Sequence, residues 1–455
     1  MCFTGSFTGQ ALVQTLFDRA SNSSCSFFPE HFALDLLTDN GECRGIMAYN
    51  LADGTFHRIR AKQTILATGD CTAAFQSGLS STGDGNAMAT RAGFPLQDLE
   101  FVQFHPTGLY GTNLILPEDC RWEGGVLRNV LGQNFMQRYA PSAKDRTKPD
   151  TIARAIMMEI EEGRGCGPNK DHVYLYLDQI PWKVLDGKLS DVVKMVKTFA
   201  DIDVQYQAIP VFPTVQKTLG GIPTNYMAQA LTVDGEGNDR IIPGLLSAGG
   251  AASPSVHGAM ALEGNSLLNS IVFGRAAALK ARELIHDGET QADLPKDAGQ
   301  ESIERFDRIR HSNGSERPGN MRANLQKIMQ KHAGLIRNGE LLEEGCEKLS
   351  ELYQRYHDIG IVEKGLNYNI ELCEALELEN LLLNGLQIMH AAENRKESRG
   401  YHAREDFMNR DNYEWLKHSL TWVKKGKVEM KYRDVIEESL DKNEFEYRLP
   451  CIYTY

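Results

Sequence analysis

Apolar positions change period along this chain, and the change divides it. After about residue 293 they recur at helical spacing, in 322–332, 343–357 and 370–395, with charges filling the remaining positions. Earlier runs read as strands: 27–37, 43–49, then an Ala52-Asp-Gly54 turn leading to 55–60, and the apolar run 61–69, which ends in a tight turn. Helical patterns also cover 1–20, 86–92, 150–162 and 182–199, and one opens near Ser255 and runs to about His286. Between about 105 and 217 loops alternate with helices, and glycine-rich, sheet-like sequence returns at 220–225. Two short strands, 419–423 and 427–432, lie in the final segment. The pattern predicts an α/β fold whose first domain, 1–104 and 218–292, is interrupted by an inserted domain, 105–217. A helical domain, 293–408, and a small tail, 409–455, follow.

The stretch Ser255-Val-His-Gly-Ala-Met-Ala-Leu-Glu-Gly-Asn-Ser-Leu-Leu-Asn269 follows a small-residue loop, 247–253. Glycines before a helix let a planar ligand approach the backbone, and the helix start adds N–H donors and partial positive charge. That suits the ring of a reduced, anionic flavin. No side chain from Met260 to Asn269 is basic, so this stretch by itself offers nothing to grip a carboxylate.

Composition narrows the classes. The 455 residues are 42% hydrophobic and 24% charged, an ordinary globular balance with room for two to four domains. A net charge of −12 argues against a nucleic-acid partner. No apolar run approaches a membrane span, so membrane association would go through partner proteins. Nine cysteines without CxxC or metal-ligand spacing fit a reducing compartment and imply no metal site. The first residues resemble neither a signal peptide nor an arginine-rich transit peptide.

Eight motifs occur in order: Ala67-Thr-Gly69, Ser81-Thr-Gly-Asp-Gly85, Phe104-His-Pro-Thr-Gly108, Glu162-Gly-Arg-Gly-Cys-Gly-Pro168, Gly220-Gly-Ile-Pro-Thr-Asn225, Ser255-Val-His-Gly258, Gly264-Asn-Ser-Leu-Leu268 and Arg395-Lys-Glu-Ser-Arg-Gly-Tyr-His-Ala-Arg-Glu-Asp-Phe407. Each is weak alone. As an ordered set spanning nearly the whole chain, they resemble the flavoprotein subunits of the succinate dehydrogenase and fumarate reductase family. The resemblance implies a partial, Rossmann-like FAD-binding domain interrupted by a capping domain. It also implies a small dicarboxylate substrate, hydride transfer from succinate to FAD, an iron–sulfur partner subunit, and a place on the matrix side of the mitochondrial inner membrane. The family's opening GxGxxG turn and flavin-linking histidine have no counterpart here, as in a truncated reading frame.

Residue by residue, the resemblance makes Arg154 the proton-abstracting arginine, with Glu118 and Arg121 as its relay. An arginine serves as a base only when desolvated and linked to such a relay. The bland reading of Arg154 is a surface arginine beside Glu159. His105 matches a substrate-binding histidine, or else stands in a structural His-Pro turn. Three further substrate positions are altered: Pro117 replaces a threonine, Gln216 a histidine and Ala261 the arginine that clamps a carboxylate. Trp122 replaces a glycine in the same loop as Pro117. On the cofactor side, Asp84 matches an FAD contact or is a helix-start aspartate, and Ser266 and Leu267 retain backbone donors for the flavin ring. Gly250 replaces a glutamate that would bind the ribose, and Asp70 replaces a glycine near a phosphate-binding turn. His257 lines the flavin edge. Arg399, His402 and Arg404 read as structural or interface residues. A hydrogen bond to a charged group contributes roughly 1.5–3 kcal/mol. The three substrate changes together then remove about 4–8 kcal/mol, on the order of a thousandfold to a millionfold in rate. The expectation is impaired catalysis with FAD binding weakened or lost. The alternatives are an inactive paralog acting in binding or assembly, and an FAD oxidoreductase with a changed substrate.

Overall fold

The computed structural model describes residues 8–77, 80–262, 264–288, 290–291, 293–437 and 441. The first seven residues, Glu263 and most of the last eighteen lie outside it, so the reading of the N-terminal leader and the end of the tail is not addressed. The chain folds as two compact units, one holding the described residues up to Glu30 with Phe104–Gln216, the other His31–Gln103 with Lys217 onward. No helix among the described residues is long and apolar enough to cross a membrane.

The first unit is built on a four-stranded sheet. Its strand order is Val102–Leu109, Ile209–Thr218, Val173–Tyr176, Val126–Arg128. Leu127, Val173, Leu175 and Val211 share one fully buried core with Ile152 and Ile156 of helix Pro149–Glu159 and with Val192 and Val196 of helix Ser190–Ala200. The alternation of loops and helices predicted for this region misses the sheet. Two of its strands are only three and four residues long, too short to show a period of two. The helix predicted over 150–162 ends at Glu159 and runs into one wide turn, Ile160–Arg164, where Gly163 takes φ +77°. Glu159 is fully buried there and accepts hydrogen bonds from Arg164, Arg138, Asn129 and Tyr139. Burial pushes its pKa up, but these donors outweigh it and hold the carboxyl down to about 2.

The second unit contains an antiparallel sheet, His31–Asp39, Glu42–Asn50 and Phe56–Arg60. Asn40 and Gly41, both at positive φ, make the two-residue loop that matches strand twist. A second sheet orders Gln229–Val233, Asp239–Ser247 and Thr64–Leu66, and its last pair is parallel. Helices Gln300–Arg310, Pro318–His332, Gly339–Arg355 and Ile370–Asn394 follow. Asn338 and Asn369 cap the last two, each accepting from the backbone N–H three residues on at 2.9 Å. Ile370–Asn394 is apolar on nearly every face and most of its residues are buried, as expected of a helix enclosed by others. The tail hairpin, Lys417–Lys424 with Lys427–Asp434, adds to strand Leu96–Gln97.

One boundary moves substantially. The helix predicted to open near Ser255 begins at Asn265 and ends at Leu284. Ser255, Gly258 and Gly264 all adopt positive φ, which a right-handed helix does not admit, so 255–262 and Gly264 stay outside it.

Candidate active site

In the first unit, the strand end at Phe104–Leu109 and the short helix Asp119–Trp122 bring three predicted residues together. His105 is 3% exposed and Arg121 is 2% exposed. Thr107 joins them: its backbone N–H donates to His105 Nδ1 at 3.3 Å, and Arg121 Nη1 donates to Thr107 Oγ1 at 3.1 Å. Thr107 Oγ1 in turn donates to Leu116 O at 2.9 Å. Arg121 Nη2 lies 3.7 Å from Glu118 Oε1. Burial first, and then the Arg121 charge, push the His105 pKa down to about 3. His105 is therefore neutral at working pH, able to offer a hydrogen bond but no positive charge.

The depressed pKa has a measurable consequence. Between about pH 6.5 and pH 5 the unfolded chain takes up a proton at residue 105 that the folded chain refuses, so stability falls as pH falls, by up to ~1.4 kcal/mol per pH unit for one such group. His402, fully buried and also held well below its ordinary value by burial and by Arg337, adds to the same slope. His105→Gln is expected to flatten the urea-midpoint profile between pH 6.5 and 5, above the carboxylate range. An unchanged slope contradicts a neutral buried His105.

Pro117 is exposed, and its carbonyl accepts from Cys120 N at 3.1 Å, opening the turn that carries Arg121. Trp122 ends that turn half-exposed to solvent. Arg154 stands half-buried on helix Pro149–Glu159. The strong donors to the nearby Glu159 are Arg138 and Arg164, so the carboxylate of the bland reading is already well supplied. Gln216 is half-buried on strand Ile209–Thr218.

In the second unit, Ala261 is buried with Phe101 and Leu219. The Gln103 side chain holds it at both ends, accepting from Ala261 N at 3.0 Å and donating to Ala261 O at 3.4 Å. Asp84 opens helix Asp84–Arg91, and its Oδ1 accepts from Thr82 Oγ1 at 2.9 Å and from Asn380 Nδ2 at 2.7 Å. Gly83 before it sits at φ +71°, and a Cβ there would meet Asn384 Nδ2 at 2.6 Å. Asn384 Nδ2 donates to Gly83 O at 3.1 Å.

Asp70 is buried and faces inward. Its Oδ1 accepts from Thr72 N and Oγ1, at 3.3 and 3.1 Å, and its Oδ2 from Thr218 N at 3.4 Å. Burial nevertheless raises its pKa. A Cβ on Gly250 would lie 3.0 Å from Asp70 N and 3.4 Å from Asp70 Cβ. Gly250 and Asp70 thus pack against each other. Gly250→Glu, which places there the residue the resemblance implies, is expected to destabilise by about 1–3 kcal/mol through overpacking. Thermal unfolding checks this, and a midpoint equal to the parent's contradicts it.

The helix start at Asn265 carries no side-chain cap. Leu267, Leu268, Ile271 and Val272 on its first turns are exposed. The run 260–269 lacks a cation, but folding supplies one from elsewhere: Lys217 Nζ is 3.3 Å from Ser266 Oγ and 3.5 Å from His257 Nε2. The other ring nitrogen of His257, Nδ1, is buried with no partner among the described residues. Burial, and then the Lys217 charge, push His257 down to about 4. An apolar helix face beside a polar cluster with one unsatisfied nitrogen fits a planar ring with a polar edge, as a flavin has. Lys217 and Thr107 escape a reading of motifs because their roles arise from contacts 40 and 14 residues away along the chain.

Arg399, His402 and Arg404 fall in a buried network. Arg399 pairs with Glu397, and Arg404 with Asp406 and the carbonyls of Ala392 and Glu393. His402 Nδ1 meets Arg337 at 2.8 Å. Arg395 pairs with Glu100 at 2.6 Å and Glu397 at 2.9 Å, and Glu100 also accepts from Ser419 at 2.7 Å.

Comparison with known proteins places the chain in a family. Residues 2–267 match the FAD binding domain family, and 322–448 match the fumarate reductase flavoprotein C-terminal family. The mitochondrial succinate dehydrogenase [ubiquinone] flavoprotein subunit of Oryza sativa subsp. japonica is 49% identical over 438 residues, covering 95% of this chain and 70% of the relative. The succinate dehydrogenase flavoprotein subunit of Rickettsia bellii is 47% identical over 438 residues, covering 95% and 74%. Among solved structures, the FrdA chain of E. coli quinol fumarate reductase superposes with a TM-score of 0.90 at 31% identity, over 96% of this chain and 77% of that one. Mycobacterium smegmatis Sdh1 in complex with UQ1 gives 0.76 at 30% identity, over 93% and 71%. With its FAD-binding domain and its C-terminal region both matched, the chain belongs to the succinate dehydrogenase and fumarate reductase flavoprotein family.

Proposed function

We propose that this chain is a flavoprotein subunit that binds FAD and oxidises succinate to fumarate, with much reduced turnover. It would pass electrons to an iron–sulfur subunit and meet the membrane only through partner subunits, on the matrix side of the mitochondrial inner membrane. The mitochondrial relatives support that location. The observation that carries the chemistry is the linked set His105, Thr107, Arg121 and Glu118, the first three buried and Glu118 half-buried, an intact polar chain within one unit. FAD, when bound, accepts the hydride. Ser266 and Leu267 would hold its ring at the helix start, Asp84 would meet it from a second helix start, and His257 would line its edge. Arg154 would take the substrate proton and return it to solvent through Glu118 and Arg121, while neutral His105 orients a carboxylate.

The reduction in turnover rests on three positions. Ala261 has no donor side chain, Gln216 cannot carry charge and Pro117 has no hydroxyl. FAD binding is weakened at Gly250, which has no carboxylate, and at Asp70, whose burial places an acid beside a phosphate-binding turn. The test is the visible spectrum of the purified protein with succinate added. Flavin that binds and bleaches over hours supports the reading. Absence of flavin overturns it in favour of a binding or assembly role, and rapid bleaching overturns the reduction in turnover.

A further inference from the structure

We infer that Lys217 tunes the bound flavin, acting as a fixed cation beside the ring's polar edge that makes the flavin easier to reduce. The inference rests on the flavin position proposed above. Lys217 leaves strand Ile209–Thr218 with its ammonium aimed at the start of helix Asn265–Leu284, within 3.3 Å of Ser266 Oγ and 3.5 Å of His257 Nε2. Both neighbours belong to the two segments that would line the ring. Neither is acidic, so neither neutralises the ammonium by direct contact. Asp70 acts on it electrostatically, while burial lowers its pKa. His257 stays neutral beside it, so the cluster carries one positive charge rather than two.

Reduction by a hydride leaves the flavin ring with an added negative charge. A positive charge a few ångströms away in a partly desolvated site stabilises that state over the oxidised one. The helix start adds a smaller effect of the same sign. The cation that 260–269 lacks is thus supplied to the cofactor rather than to the substrate.

The experiment is spectroelectrochemical titration of FAD-loaded protein, comparing the parent with Lys217→Gln, Lys217→Met and Lys217→Arg. The Gln variant removes the charge and keeps a donor one atom shorter, and Met removes the charge at nearly full length. Both neutral variants are expected to shift the oxidised-to-reduced equilibrium at least tenfold toward the oxidised form, ~30 mV for a two-electron couple. Lys217→Arg is expected to keep the parent's potential. An unshifted potential in both neutral variants overturns the inference. So does loss of flavin from both while the parent retains it, because Lys217 would then anchor the cofactor. A tenfold loss of malonate affinity at constant potential also overturns it, reassigning Lys217 to an anionic substrate. A parent that takes up no flavin defeats the proposed function itself, and is told apart by the parent's spectrum alone.

Discussion

Restoring Arg at Ala261 and His at Gln216 is expected to raise succinate-dependent flavin bleaching by two to four orders of magnitude. Each restored charge-assisted contact contributes roughly 1.5–3 kcal/mol, or about ten- to a hundred-and-fiftyfold. The backbone at Ala261 is already fixed, since Gln103 bonds both its N–H and its carbonyl, so the new side chain starts from a defined position. Its stem must leave a small apolar cluster with Phe101 and Leu219, which long arginine stems tolerate while the charged head reaches water or ligand. Stopped-flow reduction by succinate measures the effect, with Ala261→Met as a control for bulk alone. If the double variant is no faster than the parent, the fault lies with Pro117 and Trp122, whose turn carries Arg121, and the clamp is not the limiting loss.

The second large effect concerns Glu100. Its carboxylate is fully buried against Arg395, itself 1% exposed, and Ser419. Glu100→Ala leaves the Arg395 guanidinium buried with one acid, Glu397, and the carbonyls of Trp415 and Lys417. Breaking a buried pair in this way costs about 3–5 kcal/mol. The thermal midpoint of the second unit is expected to fall by several degrees, and the tail hairpin to become sensitive to protease first, because Ser419 also loses its acceptor. A midpoint within one degree of the parent's would falsify the claim that this network holds the tail.

Much of this molecule is readable along the chain, and the exceptions share a cause. Helix Ile370–Asn394 announces itself by apolar residues at helical spacing, while its asparagine cap emerges only in the structure. Helix Asn265–Leu284 is placed ten residues early, because positive φ at Ser255 and Gly258 is a tertiary outcome that small-residue composition does not exclude. The sheet of the inserted unit hides in strands of three and four residues. At the site, positions 117, 216, 250 and 261 are singled out by the resemblance because ordered motifs frame them. Thr107, which links His105 to Arg121, and Lys217, which reaches the helix start, are invisible because only folding brings their partners near. The mutual packing of Gly250 and Asp70 is likewise hidden, since the two lie 180 residues apart on the chain.

The loop before Asp84 is tied to the largely buried helix Ile370–Asn394. Asn380 holds the Asp84 carboxylate, Asn384 holds the Gly83 carbonyl, and Gln387 holds Thr90 in the helix that follows. Three side chains on successive turns of Ile370–Asn394 therefore pin a segment proposed to touch FAD. Loops that contact ligands usually open at low free-energy cost. Here, local opening requires breaking contacts with a largely buried helix. If FAD leaves past this segment, its escape is coupled to the helical core, so residence time is expected to follow the stability of that core more closely than loop motion alone.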